Sequence, residues 1–234
     1  DVGIAEAHAV TFSAGLAAGG MHPVCNIYSS FMQRAYDNVI HDVALQNLPV
    51  LTCIDRAGLN AGDGPTHHGI FDVSFLSAIP QVKIYTPITF AGLEVSVKKA
   101  LAEGVPAAIR YPNGGEDDLL KATFYPNGEP TDVGVRESNP ANPAIPDAVI
   151  VTHGRITREA LAARERLATE GILVGILLCE YIKPYEALAK EIAARLPAGV
   201  PVLFVEEEIR AGGFGMMLTD AMRRNGSLEG HPYT

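Results

Sequence analysis

Short apolar runs and amphipathic stretches alternate along this chain from one end to the other. The runs at 24–28, 48–54, 82–85, 106–112, 147–152, 172–179 and 200–205 are brief, nearly continuous and bounded by Pro, Gly or turn residues. Each reads as a strand, and 48–54 as one buried on both faces, because a half-exposed strand would alternate apolar with polar positions. Between them lie helical patterns: an Ala-rich stretch ending at Gly19-Gly20, residues 29–46 with Ser29 or Ser30 as N-cap, and a short segment near 72–78. Further helices are predicted at 89–103 (closed by Gly104), 157–170 and 185–196, with a last one opened by Gly212-Gly213-Phe214-Gly215. Regular alternation of this kind predicts an α/β fold of mainly parallel sheets flanked by helices.

The alternation pauses once. Residues 113–146 are rich in Gly, Pro, Asn and acidic side chains, with 139–143 the least structured part. We therefore expect two domains, 1–125 and 147–234, joined by a linker at 126–146. A chain of 234 residues with 47% apolar content can bury one large core or two modest ones.

Charge and composition narrow the partners. With 18 basic against 27 acidic residues the formal net charge is −9, which argues against nucleic acid, whose binders cluster Lys and Arg. No apolar run reaches the roughly 20 residues needed to span a bilayer, so a membrane partner is not expected and a cytoplasmic location is. Cys25, Cys53 and Cys179 are too widely spaced for a metal knuckle or a disulfide framework, and each sits in an apolar run. They read as small buried hydrophobes.

Candidate chemistry gathers in the loop from Asp55 to Gly69, which leaves the carboxyl end of a central strand, where open α/β sheets place their ligands. Among its glycines stand Arg56, Asp63, His67 and His68, a set suited to holding an anion and moving protons. Each taken alone also fits a turn former or a solvated side chain. Tyr28, Phe31 and Arg34 cluster at a strand-to-helix junction, where an aromatic more often serves the core. Glu6 lies near the start of the first helix, where the dipole favours a carboxylate whatever its function. Arg56 and Arg110 both stand at strand ends and could converge on a phosphate. An exposed ion pair is the plainer reading of either. His41-Asp42 reads as structural, and the glycines at 212–215 as close backbone packing or an interface.

Five segments carry a family likeness: residues 1–11, Tyr28-Ser29-Ser30-Phe31-Met32-Gln33-Arg34-Ala35-Tyr36-Asp37, Asp55-Arg56-Ala57-Gly58, Asp63-Gly64-Pro65-Thr66-His67-His68-Gly69, and Arg110-Tyr111-Pro112. They resemble the 1-deoxy-D-xylulose-5-phosphate synthases, transketolase-like enzymes. Tyr181-Ile182-Lys183-Pro184 and the stretch 206–215 extend the likeness more loosely into the second half. The resemblance implies a thiamine pyrimidine-binding domain over 1–125, without its first strand and helix, and a transketolase C-terminal domain over 147–234. It implies thiamine diphosphate and Mg2+ as cofactors, and pyruvate and D-glyceraldehyde 3-phosphate as substrates. Glu6 would hydrogen-bond the aminopyrimidine as a cofactor-assisted base, Phe31 would stack on that ring, and Tyr28 and Arg34 would line the pocket. His67, with Asp63 beside it, would exchange protons with the substrates, while Arg56 and Arg110 would clamp the acceptor phosphate. His68 receives no role. A homodimer is the family's usual state.

The chain lacks the combined Gly-Asp-Gly and downstream Asn pattern of the family's diphosphate- and metal-binding domain. It therefore reads as a fragment with no metal ligands of its own, and as inactive alone. The β-subunit of a 2-oxo acid dehydrogenase first component, transketolase itself, an inert dimerisation fragment and a metal hydrolase using Asp63, His67 and His68 are the rival readings. The two arginines and the His pair suit a phosphorylated acceptor better than a lipoyl arm.

Overall fold

A computed structural model describes residues 2–60, 62–138 and 145–234. Helix α1 (Glu6–Ala18) turns Val10, Ala14 and Ala17 inward, small residues that let it lie close on its neighbours. Strand β1 (Val24–Tyr28) then feeds a run of helical turns in place of one regular helix. These are α2 (Ser29–Met32), a 3-10 turn (Gln33–Ala35), α3 (Tyr36–Asn38) and a π-helical stretch (Val39–Ala44). The run ends short of the predicted 46, where Asn47 takes a left-handed conformation that helices cannot continue.

Strand β2 (Leu51–Asp55) is buried along four of its five residues, as its apolar run predicts. Helix α4 (Asp72–Ser77), β3 (Lys83–Tyr85), α5 (Phe90–Glu103) and β4 (Ala107–Arg110) complete the first αβ series. Thr89 caps α5 by accepting from Gly92 N–H, and Gly104 ends it with positive φ. After α6 (Asp118–Phe124) come β5 (Val135–Ser138), β6 (Ala148–His153), α7 (Thr157–Thr169) and β7 (Val174–Cys179). The chain then forms β8 (Tyr181–Lys183), α8 (Tyr185–Ala193), β9 (Val202–Val205) and α9 (Phe214–Arg224).

Two sheets result, in the orders β1-β2-β4-β3-β8 and β5-β7-β6-β9. Within each the pairings are parallel except at one edge, where β8 runs antiparallel to β3 and β5 antiparallel to β7. Three sequence expectations change here. Residues 135–138 of the predicted linker are a strand, and 139–143 lie outside the described residues. The second half also lends β8 to the first half's sheet, so the two are stitched together. Beyond Arg224, for which the apolar pattern predicts no strand, Pro232 accepts from Val202 N–H, and Thr234 donates to the Val202 carbonyl and accepts from Phe204 N–H of β9. All three segments are too short and too mixed in polarity to give a periodic signal.

One apolar core runs through both halves, joining Met32, Ile54, Leu76 and Ile84 to Ile182, Leu188, Phe214 and Leu218. Cys25, Cys53 and Cys179 are unpaired and buried, and burial pushes the Cys53 thiol up to about 11. Among the described residues no helix is long and apolar enough to cross a membrane.

Candidate active site

The loop after β2 is closed on itself by two backbone hydrogen bonds of 2.8 Å between Gly58 and Gly69. Gly69 must lack a side chain, since a Cβ would stand 2.5 Å from both the Arg56 carbonyl and Ser29 Oγ. Arg56 takes a positive φ of 59°, uncommon for a residue with a Cβ, and its guanidinium lies 4.9 Å above the Tyr28 ring. It pairs with Asp55 and, at 3.6 Å, with Asp63.

Tyr28, at the end of β1, meets this loop. Its hydroxyl donates to Asp63 at 2.9 Å and accepts from Asn60 Nδ2 at 3.0 Å, while Asn60 also donates to Asp63 at 2.7 Å. Those hydrogen bonds, Tyr28's first, hold the Asp63 carboxyl below its ordinary value. Desolvation and the Asp63 acceptor raise Tyr28 in turn. The Tyr28 and Phe31 rings lie 4.8 Å apart, and the His67 ring meets both edge-on at 5.6 and 5.4 Å. His67 Nδ1 is 2.8 Å from Thr66 Oγ1. His68 accepts the Asn60 N–H at 3.0 Å on Nδ1, so it shapes the loop.

On the other side of Phe31, the Arg34 guanidinium sits 4.6 Å over the ring and donates to Glu6 Oε1 at 2.9 Å. Glu6, Arg34, Phe31, Tyr28, His67, Asp63 and Arg56 thus form one continuous set of contacts. Glu6, Tyr28, Phe31 and Arg34 also line a cavity of about 340 Å3, walled by Ile4, Ala9 and Ile27. A second cavity, of about 520 Å3, lies between the Arg56 loop and the start of α7.

Arg110 does not join them. Its side chain is 4% exposed and is held by Asp72 at 3.1 and 3.2 Å and by Glu208 at 2.6 Å. It lines neither of these two cavities. The reason is a carboxylate from the far end of the chain: Glu208 follows β9 and reaches Arg110 and, at 3.1 Å, His153 Nε2. Burial opposes ionisation of Glu208, but Arg110 and then His153 outweigh it and hold the carboxyl well below the usual range. Asp72, His153 and Glu208 escaped the sequence reading because nothing local announces their pairing. Asn60 escaped it as an ordinary loop residue.

His153, Glu206 and Glu208 bring ligand-type atoms within 4.8 Å of one another. Those atoms are committed elsewhere, Glu206 accepting from the N–H groups of Phe214 (2.6 Å) and Gly215 (3.0 Å) and Glu208 facing Arg110. A guanidinium so near disfavours a cation. The cluster is an ion-pair network across the two halves.

The fold and this loop define a class, and comparison with known proteins agrees with it. Residues 1–115 match the transketolase pyrimidine-binding domain and residues 142–232 the transketolase C-terminal domain. The chain is similar to a solved split-gene transketolase described as an inactive β4 tetramer, with TM-score 0.76 and 26% identity over 95% of this chain and 69% of that one. It shares its fold with the transketolase of Leishmania mexicana, at TM-score 0.69 and 19% identity over 95% of this chain and 36% of that one. In sequence it is 44% identical to the 1-deoxy-D-xylulose-5-phosphate synthase of Anaeromyxobacter dehalogenans and 41% to that of Aquifex aeolicus, each over 98% of this chain. The chain belongs to the 1-deoxy-D-xylulose-5-phosphate synthase family, and it spans about a third (35%) of the length of these curated relatives.

Proposed function

We propose that this chain is the pyrimidine-binding and C-terminal part of a thiamine diphosphate-dependent synthase. The whole enzyme condenses pyruvate with D-glyceraldehyde 3-phosphate to 1-deoxy-D-xylulose 5-phosphate and carbon dioxide, a precursor-forming step for isoprenoids and thiamine. The observation that supports it is the unbroken contact set from Glu6 through Phe31 to His67 and Asp63 along one sheet edge.

The 340 Å3 cavity suits an aromatic heterocycle, having an aromatic ring, apolar walls and one carboxylate. Among the described residues its lining offers no second carboxylate, and the diphosphate and its Mg2+ are assigned to a further domain. When bound, thiamine diphosphate supplies an acidic thiazolium carbon and an electron sink for decarboxylation. Glu6, with a side chain 14% exposed, holds the hydrogen bond to the aminopyrimidine ring, and Arg34 fixes its carboxylate. Phe31 bears the ring. His67 exchanges a proton with a substrate oxygen, and Asp63, immobilised by Tyr28 and Asn60, keeps the substrate beside it. Arg56 faces the acceptor's phosphate. The assembled enzyme is proposed as a cytoplasmic homodimer, with this chain inactive alone, in keeping with the inactive assembly of the similar split transketolase.

The test supplies a relative's diphosphate-binding domain and follows product from pyruvate and D-glyceraldehyde 3-phosphate. Condensation is expected, with Glu6→Gln lowering kcat by about 100-fold or more. Acyl transfer to a lipoyl domain without condensation would replace this reading with the dehydrogenase.

A further inference from the structure

The segment after β9 lies across the base of the loop that carries Arg56, Asp63 and His67. Ile209 N–H donates to the Ile70 carbonyl at 3.1 Å, just beyond the loop's closing glycine, and the Ala211 carbonyl accepts from Ser74 Oγ at 2.6 Å. Glu208 holds Arg110, whose Nη2 donates to the Gly69 carbonyl at 3.4 Å. These contacts fix the limb of the loop that returns toward α4. The outgoing limb, from Gly58 to Asn60, is met by Glu207.

Gly58 makes the room. It takes a positive φ of 85°, and a Cβ there would stand 2.9 Å from the Glu207 carboxyl carbon and closer still to Oε2. The half-buried carboxylate therefore rests on the backbone at Gly58, and the Leu59 N–H stabilises its charged form. Burial works against that charge, Arg110 favours it, and Glu208 beside it opposes it. Two neighbouring carboxylates that share one guanidinium add little to stability, so what Glu207 touches matters more than its charge. It touches the residue before Asn60. The Asn60 N–H donates to His68 Nδ1 at 3.0 Å, and its Nδ2 donates to Asp63 at 2.7 Å and to the Tyr28 hydroxyl at 3.0 Å.

We propose that Glu207 is a positioning residue of the candidate site: from the C-terminal half it braces the backbone of Gly58 and Leu59, and through Asn60 it sets where Asp63 and His68 stand. Its bearing on the reaction rests on the synthase reading, whereas the brace itself does not. The C-terminal domain thereby acts on the site through backbone placement. Both limbs of the loop depend on the one segment 207–211, so docking of the two halves and order in the loop are linked.

The test compares the full 234-residue chain with Glu207→Ala, Glu207→Asp and Glu207→Gln by NMR, with no ligand added. In the parent the Asn60 N–H keeps His68 Nδ1 an acceptor, so the neutral ring carries its proton on Nε2. Glu207→Ala should mix the two tautomers, as read from the 15N shifts of the ring, and move the Asp63 titration up toward 3.8. It should also speed exchange of the Asn60 amide about ten-fold. Glu207→Asp keeps the charge but falls one methylene short, and should resemble Glu207→Ala. Glu207→Gln keeps both reach and an acceptor oxygen, and should resemble the parent. Exchange at Leu177, in the middle of the second sheet, should be the same in all four proteins. An unchanged His68 ring and Asn60 amide in Glu207→Ala would overturn the brace. So would an equal acceleration at Leu177, the mark of a merely structural residue, or parent-like behaviour of Glu207→Asp with release in Glu207→Gln, the mark of charge alone. Thiamine and substrate take no part in these measurements. Failure of thiamine to bind would therefore remove the synthase reading and leave the brace, and an unaltered loop in Glu207→Ala would do the reverse.

Discussion

The Tyr28 hydroxyl donates to Asp63 and receives a hydrogen bond from Asn60, so one phenol ties strand β1 to the loop after β2. Tyr28→Phe should therefore raise the Asp63 pKa toward its ordinary value of 3.8, as read by NMR titration of the carboxyl carbon. An unchanged pKa would mean that the phenol does not organise this carboxylate. The chemistry of the loop was legible at this scale because Arg56, Asp63 and His67 lie close together in sequence among glycines. The pairing of Arg110 was not legible, because its environment is made by Asp72 and Glu208, which no local pattern links to it. Residue type announces what a side chain can do, and burial decides whether it is free to do it.

Lys183 shows the same dependence at the scale of an element. It lies on β8, is 8% exposed, and donates to the carbonyls of Leu76 (3.5 Å), Ser77 (3.3 Å) and Ile79, just where α4 runs out of intrahelical donors. Lys183→Met should leave the Ser77 carbonyl unsatisfied, those of Leu76 and Ile79 keeping the N–H groups of Ile79 and Val82, and lower stability by roughly 1–3 kcal/mol in urea denaturation. Burial lowers the Lys183 pKa from 10.5 to about 8. Between those values the unfolded chain binds the extra proton, so the parent should gain stability as pH rises through that window. The Met variant should lack that rise, and an equal slope in both proteins would contradict the assignment. The long apolar strands and the capped helix α5 were legible because their patterns repeat over enough residues to be read. Edge strands β5 and β8, of four and three residues, were not.

Across the whole molecule, the network of Arg110, Asp72, Glu208 and His153 joins the first half to the second beside the candidate site. Arg110→Met would leave two buried carboxylates without their counter-charge, and a loss of roughly 3–5 kcal/mol is expected in urea denaturation. A loss within 1 kcal/mol would show that this network does not hold the halves together. Glu208 titrates well below its ordinary 4.5 in the folded chain, so its contribution is present above that value. It declines as pH falls below 4.5, and Glu208→Gln should remove that part of the acid sensitivity. The two-part α/β architecture was readable from alternation alone, whereas the docking of the parts depends on pairings between distant segments.

The central claim is that Glu6, Tyr28 and Phe31 border one cleft that receives a pyrimidine ring. It is tested most directly by titrating thiamine into the chain and recording nuclear Overhauser contacts between the pyrimidine protons and the Phe31 and Tyr28 rings. Saturable contacts to both rings, lost in Phe31→Ala, are the predicted result. Binding without those contacts, or binding unaffected by Phe31→Ala, would contradict it.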